Sequence, residues 1–421
     1  MELIALPRSL GKFAITFRYR FPWTRATVAI SHFLLAGKYG NFGNAAYARF
    51  SSLLNLVLPT IRWDGDSLSR IKNTRRLLSW AWIHFLDLTG AFSWVRRRIA
   101  ASAGVLVLTF HRVLDDSEFD ESDSPAGMIV RRRTFENLLA YLKEHFEIIV
   151  LSGDQPVWEP EGDRIRMALT FDDGWADTFQ LAYPLARQYG VSFSLFVCPG
   201  LAGLPSPFWP ETIGRAWKAA SKSLEAGAAF SAICGHSGLS AERWSNGGDL
   251  QGFLSSVKEL PAKDRDLLVD QLRVFAHEYG RDKKISDLEA TMTWENTRAL
   301  SLTGMQIGSH TQHHEILTHI PLNQAKREIG ESKTDIESHL GISCQMCAYP
   351  NGSWSPSIRD LVEQRGYSQA FSNKPGIWTK RTDPFIIPRV NVWEGSLTNS
   401  SGNFSSKLFA YSVLWRAYRG R

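Results

Sequence analysis

The sequence of 421 residues predicts an α/β fold in which parallel strands close into a (β/α) barrel. From residue 104 onward, short apolar and β-branched runs alternate with helical patterns, and such alternation is typical of a parallel sheet. The run GVLVLTFHRV at 104–113 reads as a strand buried on both faces. Six or more strand–helix units in one domain favour a closed barrel over an open sheet. The chemistry of such barrels lies at the C-terminal ends of the strands.

The same alternation predicts the other strands and helices of the barrel, and it is interrupted once along the chain. Strands are predicted at 164–171, 191–198, 305–310, 344–350, 367–372 and 385–392, and helices at about 132–145, 176–189, 293–301, 321–340 and 355–365. Residues 200–290 break the rhythm, because they are rich in Gly, Ser and Ala and hold a charged helical piece at 261–279. We interpret residues 101–397 as the barrel domain, with an insertion at about 200–290.

Both ends of the chain are basic and aromatic. Residues 1–100 carry 15 Lys and Arg against 4 Asp and Glu, and their clearest pattern is a helix at 71–100. The tail at 398–421 places aromatic and basic residues at helical spacing. Two interpretations stay open for these ends: peripheral contact with an anionic membrane, or packing on their own domain. We expect no nucleic-acid partner.

Neither an export signal nor a membrane span is predicted. Pro7, Arg8 and Lys12 interrupt the N-terminal apolar stretch before a signal-peptide core can form. No run reaches the roughly 18 apolar residues that a transmembrane helix needs. We therefore expect a cytoplasmic protein, with association at a membrane surface as the alternative setting.

A pair of adjacent carboxylates follows one predicted strand. The stretch ALTFDDG at 168–174 ends an apolar run in Asp172 and Asp173. Two neighbouring carboxylates repel each other and resist burial, unless a positive group neutralises them. The pair is therefore either a solvated turn or part of a site that binds a cation.

Two further motifs follow predicted strands. GSHTQHH at 308–314 offers His310 and His314, which would share one face if the chain turned helically there. AYPNGSW at 348–354 contains a proline and a glycine that force a turn. Two imidazoles and one carboxylate are a common ligand set for a divalent metal. Each motif alone is a weak signal, but all three fall at the same predicted end of the barrel.

These motifs resemble those of a known family. TFDDG (170–174), SHTQHH (309–314) and AYPNG (348–352) are similar to the first three motifs of the polysaccharide deacetylase family, the NodB-homology group or carbohydrate esterase family 4, and LTFHRV (108–113) to the opening strand of many members. The resemblance covers about residues 104–395 without the insertion. It implies a distorted (β/α) barrel, here with a helical N-terminal extension and an inserted segment. It also implies removal of N-acetyl groups from sugar polymers with a bound divalent metal.

The resemblance assigns a role to each motif residue. It implies that Asp173, His310 and His314 hold the metal, and that Asp172 is the catalytic base. A cation would offset one carboxylate and polarise a water, whose proton the neighbouring carboxylate takes. Asn351 is the candidate backbone donor to the oxyanion, because the proline before it has no N–H. Zn²⁺ suits these ligands best, and Co²⁺, Ni²⁺, Mn²⁺ and Fe²⁺ also fit them.

Two parts of the family pattern are missing. Many members have an Arg before the Pro/Gly turn that orients the base, and CQMCAYP here has none; Arg389 is the candidate replacement, with a structural Arg as the alternative. Many members also end in Leu-x-x-His, whose His protonates the leaving amine, and no such motif follows residue 372. His111, at the tip of the first strand, is the candidate acid, with a buried structural His as the alternative. His313 is not an obvious metal ligand.

Together the motifs predict a metal-dependent hydrolase that removes N-acetyl groups from an N-acetylhexosamine-containing polysaccharide or glycolipid, in bacterial surface-polysaccharide biosynthesis or modification. Its partner would be an N-acetylated glycan or a lipid-linked sugar. Two alternatives stay open: an amide hydrolase of the same family with a non-sugar substrate, and a catalytically weak carbohydrate-binding protein on the same barrel. The intact Asp pair and His pair favour an enzyme, because a carbohydrate-binding module does not need a set of metal-binding residues.

Overall fold

The computed structural model describes residues 79–154, 158, 162–205, 208–239, 250–280 and 286–420. The chain divides into two compact units, Met1–Thr89 and Gly90–Arg421. Because the described residues begin at 79, most of the basic N-terminal region that is predicted to be helical lies outside them. In the first unit, residues 79–88 are helical.

The predicted helix at 71–100 is wrong as one continuous element. The helix at 79–88 ends in a turn, and a second helix spans Ala91–Ala100. Gly90, between them, has φ 74°, a left-handed conformation that glycine adopts without the steric cost of a Cβ atom. The apolar periodicity continues through both helices, which is why the pattern did not reveal the break.

Ten strands in the described residues build two parallel sheets. The strands are β1 (Val105–Phe110), β2 (Arg112–Leu114), β3 (Ile129–Arg131), β4 (Glu147–Ile148), β5 (Arg166–Phe171), β6 (Ser194–Val197), β7 (Gln306–Ser309), β8 (Met346–Ala348), β9 (Gln369–Phe371) and β10 (Val390–Asn391). The main sheet has the order β10-β1-β5-β6-β7-β8-β9, with β4 also on β5, and β2 pairs with β3 separately. Each of these strand pairs is parallel, so the predicted α/β sheet is confirmed.

The main sheet curls until its two edges meet. Ser372, just after β9, donates a backbone hydrogen bond to the Ile387 carbonyl (2.9 Å), and Ile387 donates one to Ala370 (2.8 Å). The segment at Ile387 continues into β10, where Val390 is in register with Leu108 of β1. The strands therefore form a distorted barrel, as the sequence predicts.

The barrel interior is filled by alternate residues of the strands, because successive side chains of a strand point to opposite faces. The buried interior cluster comprises Val105, Val107, Leu151, Ala168, Phe196, Met346, Ala348, Phe371, Trp378 and Ile387. Residues of the other parity face the helices: Phe110 and Phe171 contact Phe135, with ring centroids 5.5 and 5.8 Å apart. Burial on both faces explains why these strands are apolar throughout.

The interior rows end in polar residues at one end of the barrel. The alternation that points Ala168 inward carries Asp172 to the same face, four residues further along the chain. It likewise carries Arg389, two residues after Ile387, to the interior. Both polar side chains are 0% exposed. The C-terminal ends of the strands therefore place a charged layer directly on an apolar core.

Helices connect the strands. They span Asp116–Glu121, Arg132–His145, Tyr183–Gln188, Trp294–Ser301, Leu322–Leu340, Pro356–Gln364 and Glu394–Leu397 around the barrel, with a π-helical turn at Thr178–Ala182. The described part of the insertion holds four further helices: Trp209–Ala220, Leu224–His236, Leu250–Lys258 and Ala262–Tyr279. These four share a hydrophobic cluster of their own that includes Phe230, Phe253, Leu272 and Phe275. The insertion is therefore an ordered helical layer rather than a loop.

The C-terminal tail packs on its own domain. It forms a short helix at Ser406–Phe409, a π-helical stretch at Ala410–Trp415 and a last turn at Arg416–Arg419. Trp415 contacts Phe92, and Tyr418 contacts Trp94, both on the helix Ala91–Ala100. Membrane contact by the tail stays a prediction that this packing does not favour. Among the described helices, none combines the length and the apolarity needed to cross a bilayer.

The close fit between the insertion and the barrel domain is testable at Gly214, in the helix Trp209–Ala220. A Cβ atom there would collide with the backbone carbonyl of Asp123. We expect Gly214→Ala to cost about 1–3 kcal/mol of stability, because backbone cannot yield as a flexible side chain can. Gly235→Ala is the control: its Cβ would meet no atom within 4 Å, so helix propensity should stabilise it by up to about 1 kcal/mol. Thermal unfolding midpoints check both, and a Gly214→Ala midpoint equal to that of Gly235→Ala would contradict the fit.

Candidate active site

The site begins at the end of β5, where the chain turns sharply. Asp172 continues the strand, since its amide donates to the Phe110 carbonyl (2.9 Å). Asp173 and Gly174 then have φ 73° and 80°, in the left-handed region. A non-glycine residue in this region is uncommon and is often found at functional sites. Both carboxylates are buried, so the pair is not a solvated turn.

Arg389 neutralises Asp172. Its Nη1 donates to Asp172 Oδ1 and its Nη2 to Oδ2, both at 2.7 Å, so the two side chains form a bidentate pair. Nη1 also donates to Thr170 Oγ1 (3.2 Å) and Nη2 to Asn373 Oδ1 (2.9 Å). Burial raises the pKa of Asp172, but the charges of Arg389 and His310 outweigh it and leave the pKa at about 2. Asp172 is therefore ionised at neutral pH, and Arg389 holds it in one orientation.

Asp173 has one satisfied oxygen and one that faces the histidines. Trp175 Nε1 donates to Oδ2 at 3.0 Å. Oδ1 is buried and accepts no hydrogen bond from the described residues. It lies 3.5 Å from His310 Nε2 and 3.4 Å from His314 Nε2. A buried anionic oxygen facing two imidazole nitrogens is the arrangement expected of a metal ligand.

His310 presents an unprotonated nitrogen to Asp173. Its Nδ1 lies 2.7 Å from the Ala348 carbonyl oxygen, which only accepts hydrogen bonds, so Nδ1 carries the proton and Nε2 keeps its lone pair. Burial lowers the pKa of His310 to about 4, and burial with the charge of His111 lowers that of His314 to about 3. Both rings are therefore neutral at neutral pH. Neutral imidazole is the form that binds metals.

The backbone between the two histidines is not helical, so a helical turn is not what brings the imidazoles together. Thr311 and His314 have φ 67° and 62°, and the loop reverses direction rather than winding. The two imidazoles nonetheless converge, with ring centroids 5.0 Å apart. Phe208, at the start of the insertion, is buried and packs edge-on against His314 (5.2 Å). The ligand-capable atoms of Asp173, His310 and His314 all lie within 4.8 Å of one another, so this cluster can hold a metal ion.

His313 points away from this cluster. Its Nδ1 lies 2.9 Å from Glu328 Oε1, and its backbone amide donates to Glu328 Oε2 (2.8 Å). About half of the His313 side chain is exposed. This position agrees with the expectation that His313 is not a metal ligand.

His111 lies between β1 and β2, at the same end of the barrel. Its charge lowers the pKa of both Asp172 and His314, which places its ring near the base and one ligand. Its Nδ1 is buried and has no hydrogen-bond partner among the described residues. The structure therefore places His111 near Asp172 and His314, and its role as an acid stays a prediction.

Asn351 occupies the turn after β8. It has φ 57°, and the turn is closed by hydrogen bonds from Gly352 to Tyr349 (2.8 Å) and from Ser353 to Pro350 (3.2 Å). The side-chain amide of Asn351 donates to Ser353 Oγ at 3.1 Å, whereas its backbone amide makes no backbone hydrogen bond to the described residues outside this turn. His310 joins this turn to the metal cluster, through its hydrogen bond to the carbonyl of Ala348 at the end of β8.

Two residues at the site were missed by the sequence analysis. Trp175 fixes the orientation of Asp173, and its position two residues after the aspartate was an available signal. Lys258, from the insertion, donates to Asn351 Oδ1 at 2.7 Å. No pattern linked Lys258 to a residue 93 positions away, so only the tertiary structure reveals it.

Part of the chain is similar to proteins of a known family. Residues 275–370 match the family model described as polysaccharide deacetylase. The Bacillus subtilis (strain 168) protein YxkH, whose name places it among the polysaccharide deacetylases, is 23% identical over 113 residues. This alignment covers 27% of the chain and 40% of YxkH, so the chain spans less than half the length of that relative.

Two solved structures are similar to the chain at low sequence identity. The Streptococcus pyogenes deacetylase PplD in complex with acetate is 15% identical, with coverage of 74% of this chain and 98% of PplD and a TM-score of 0.45. IcaB from Ammonifex degensii is 16% identical, with coverage of 70% and 93% and a TM-score of 0.42. Likenesses this distant carry no inference about chemistry.

The family match falls on functional elements of the barrel. It includes β7 with the two histidines that follow it, and β8 with the turn at Asn351. Asp172 and Asp173 lie outside the matched segment, but the fold brings them against its histidines. Residues 275–370 are therefore similar to the polysaccharide deacetylase family, and the two aspartates of the candidate site come from outside this matched segment.

Proposed function

We propose that this protein is a metal-dependent hydrolase that removes N-acetyl groups from an N-acetylhexosamine-containing polysaccharide or glycolipid. The observation that carries the proposal is the pairing of two buried carboxylates with different partners. Asp172 is held by Arg389, whereas Asp173 faces His310 and His314. One carboxylate is therefore arranged as a base and its neighbour as a metal ligand.

The residues present fit a divalent metal. Asp173 Oδ1 is buried and lacks a hydrogen-bond donor among the described residues, and both imidazoles are neutral. A cation at this point would satisfy the orphaned oxygen and both lone pairs. Zn²⁺ suits two imidazoles and a carboxylate, and Co²⁺, Ni²⁺, Mn²⁺ and Fe²⁺ are the alternatives. When bound, such a metal would polarise a water molecule and the acetamide carbonyl.

Asp172 is placed to act as the general base. It is ionised, and the bidentate pair with Arg389 fixes its orientation. Asp172 Oδ2 lies 3.9 Å from His310 Nε2, which brings the base beside the ligand cluster without making it a ligand. A proton removed from the attacking water would pass to Asp172.

Asn351 is the proposed oxyanion donor. Its backbone amide makes no backbone hydrogen bond to the described residues outside its own turn, and the left-handed turn holds that amide in a fixed direction. A backbone N–H held in place before the reaction stabilises developing negative charge without reorganisation. His111 lies on the side of the base, where it would contact the substrate or the attacking water.

An acetamide is the substrate group that this arrangement fits best. A base, a metal set and an oxyanion donor together serve attack on a carbonyl carbon, and similarity to the family favours an N-acetylated sugar. The family resemblance further implies a setting in surface-polysaccharide modification. A pure binding module is disfavoured, because burying two adjacent carboxylates costs stability that sugar binding does not require.

Metal binding should depend on His314 and not on its neighbour His313. We expect His314→Ala to weaken Zn²⁺ binding at least roughly 100-fold, because it removes a direct ligand. His313→Ala is the matched control, since that side chain is exposed and bonded to Glu328. Equilibrium dialysis with metal analysis measures both. Equal losses in the two variants, or none in either, would contradict the site.

Removing Arg389 should change the pH profile in a defined direction. In Arg389→Met, Asp172 stays buried but loses its guanidinium, so its pKa rises from about 2. A base works only when deprotonated, so the acid limb of kcat/KM should move to higher pH. Stability should also fall by about 3–5 kcal/mol, because one buried charge is left unpaired.

The control for this variant is Arg273→Met on the insertion. Arg273 is exposed and pairs with Asp270, and such a pair is worth less than about 1 kcal/mol. Its pH profile and unfolding midpoint should match those of the wild type. An acid limb that stays in place in Arg389→Met would show that Asp172 is not the base.

Acetate release tests the reaction itself. Metal-loaded wild type should release acetate from N-acetylglucosamine oligomers. Chelation, or the near-isosteric Asp172→Asn, should lower kcat by about 10²–10⁴, because the amide cannot accept the proton. Acetate released only from non-sugar N-acetyl amines would identify an amide hydrolase instead. Tight glycan binding with no acetate from any substrate would identify a binding protein.

A further inference from the structure

The insertion places a lysine side chain at the candidate active site. Lys258 is the last residue of the helix Leu250–Lys258, and its Nζ donates to Asn351 Oδ1 at 2.7 Å. The preceding residues Phe253, Leu254 and Val257 are buried in the hydrophobic cluster of the insertion. This packing anchors the helix, so Lys258 is presented to the site from a rigid support.

The ammonium group of Lys258 is close enough to the metal cluster to interact with it electrostatically. Its charge lowers the pKa of His314, and the charge of Asp173 in turn raises the pKa of Lys258. Burial acts in the opposite direction and prevails, so the pKa of Lys258 is lowered overall. A half-buried ammonium with a lowered pKa releases its proton more readily than a solvated one.

Amide hydrolysis needs a proton donor on the side of the leaving nitrogen, because an amine leaves poorly as an anion. The oxyanion and the leaving nitrogen are bonded to the same carbon atom. A group beside the oxyanion donor Asn351 therefore lies within reach of that nitrogen. Lys258 is such a group, and its ammonium carries a proton of its own while Asp172 receives the proton of water.

Strand order separates the acid from the base. His111 follows β1, Asp172 follows β5 and Arg389 precedes β10, and these three strands are neighbours in the sheet. Asn351 follows β8, which lies three strands from β5. Lys258 thus approaches from the side away from the base, whereas His111 lies on the side of the base.

We propose that Lys258 is the general acid that protonates the leaving amine. Water forms a bond to the acetyl carbon and gives one proton to Asp172. The carbon–nitrogen bond then breaks as Lys258 gives a proton to the nitrogen, which yields acetic acid and the free amine. The proton on Asp172 returns through solvent to Lys258, so the enzyme is regenerated with no other reactant. This assignment rests on the proposed deacetylase function.

The test compares substrates with good and poor leaving groups. The N-acetylglucosamine pentamer needs protonation of its amine, whereas 4-nitrophenyl acetate releases a stable phenolate that does not. Full-length, metal-loaded wild type is compared with Lys258→Met, which removes the charge, and Lys258→Arg, which keeps the charge but cannot donate a proton at neutral pH. Lys263→Met, at an exposed position of the same insertion, is the control.

We expect both Lys258 variants to lose about 10²–10⁴ in kcat on the pentamer and to keep ester hydrolysis within about tenfold of the wild type. Lys263→Met should match the wild type on both substrates. Unchanged Zn²⁺ content and unfolding midpoint in the Lys258 variants would show that the loss is not one of folding or metal binding.

Five outcomes would overturn the assignment. Activity on the pentamer restored by Lys258→Arg would show that only the charge matters. An equal loss on ester and amide would make Lys258 a positioning residue for Asn351, and an amide-selective loss in His111→Ala alone would transfer the role to His111. If the wild type releases acetate from neither substrate, the proposed function is wrong and the assignment fails with it. If the wild type releases acetate and the Lys258 variants retain full activity on the pentamer, the assignment alone is wrong.

Discussion

Two adjacent buried carboxylates are the constraint on which the site depends. Neither Asp172 nor Asp173 reaches solvent, and two unneutralised charges side by side in an apolar barrel would cost far more than the fold can supply. The structure gives the two carboxylates different surroundings. Arg389 forms a bidentate pair with Asp172, and the histidines direct lone pairs towards the same point as Asp173 Oδ1, where a cation fits. The proposed division into base and metal ligand rests on these different surroundings.

The barrel makes this neutralisation possible because it brings distant segments to one end. Parallel strands point their C-terminal ends in one direction. Alternate side chains of each strand point into the barrel, and Asp172 and Arg389 belong to this inward-pointing set. Left-handed residues then turn the chain where each strand ends. Asp173, His314 and Asn351 all have positive φ, and the same turns that strain the backbone direct these residues at the site.

The insertion is a second source of chemistry rather than a passive addition. Its four helices have their own hydrophobic cluster, and they contribute Phe208 against His314 and Lys258 against Asn351. A site whose oxyanion turn is contacted by an inserted helix has its substrate access shaped by that helix. The residues that select the proposed substrate are therefore to be sought in the insertion as much as in the barrel.

The sequence by itself determined the elements and the motif residues, since both are local properties. Apolar periodicity identified the strands, and residues a few positions apart identified Asp172 with Asp173 and His310 with His314. It misjudged the helix through Gly90, because a single left-handed residue leaves the periodicity unchanged. For Arg389, 217 residues from Asp172, the sequence left a structural role open as the alternative, and the tertiary structure shows the contact. Lys258, 93 residues from Asn351, was revealed by the tertiary structure alone. Closure of the barrel and packing of the insertion set those contacts, and neither leaves a trace in local spacing.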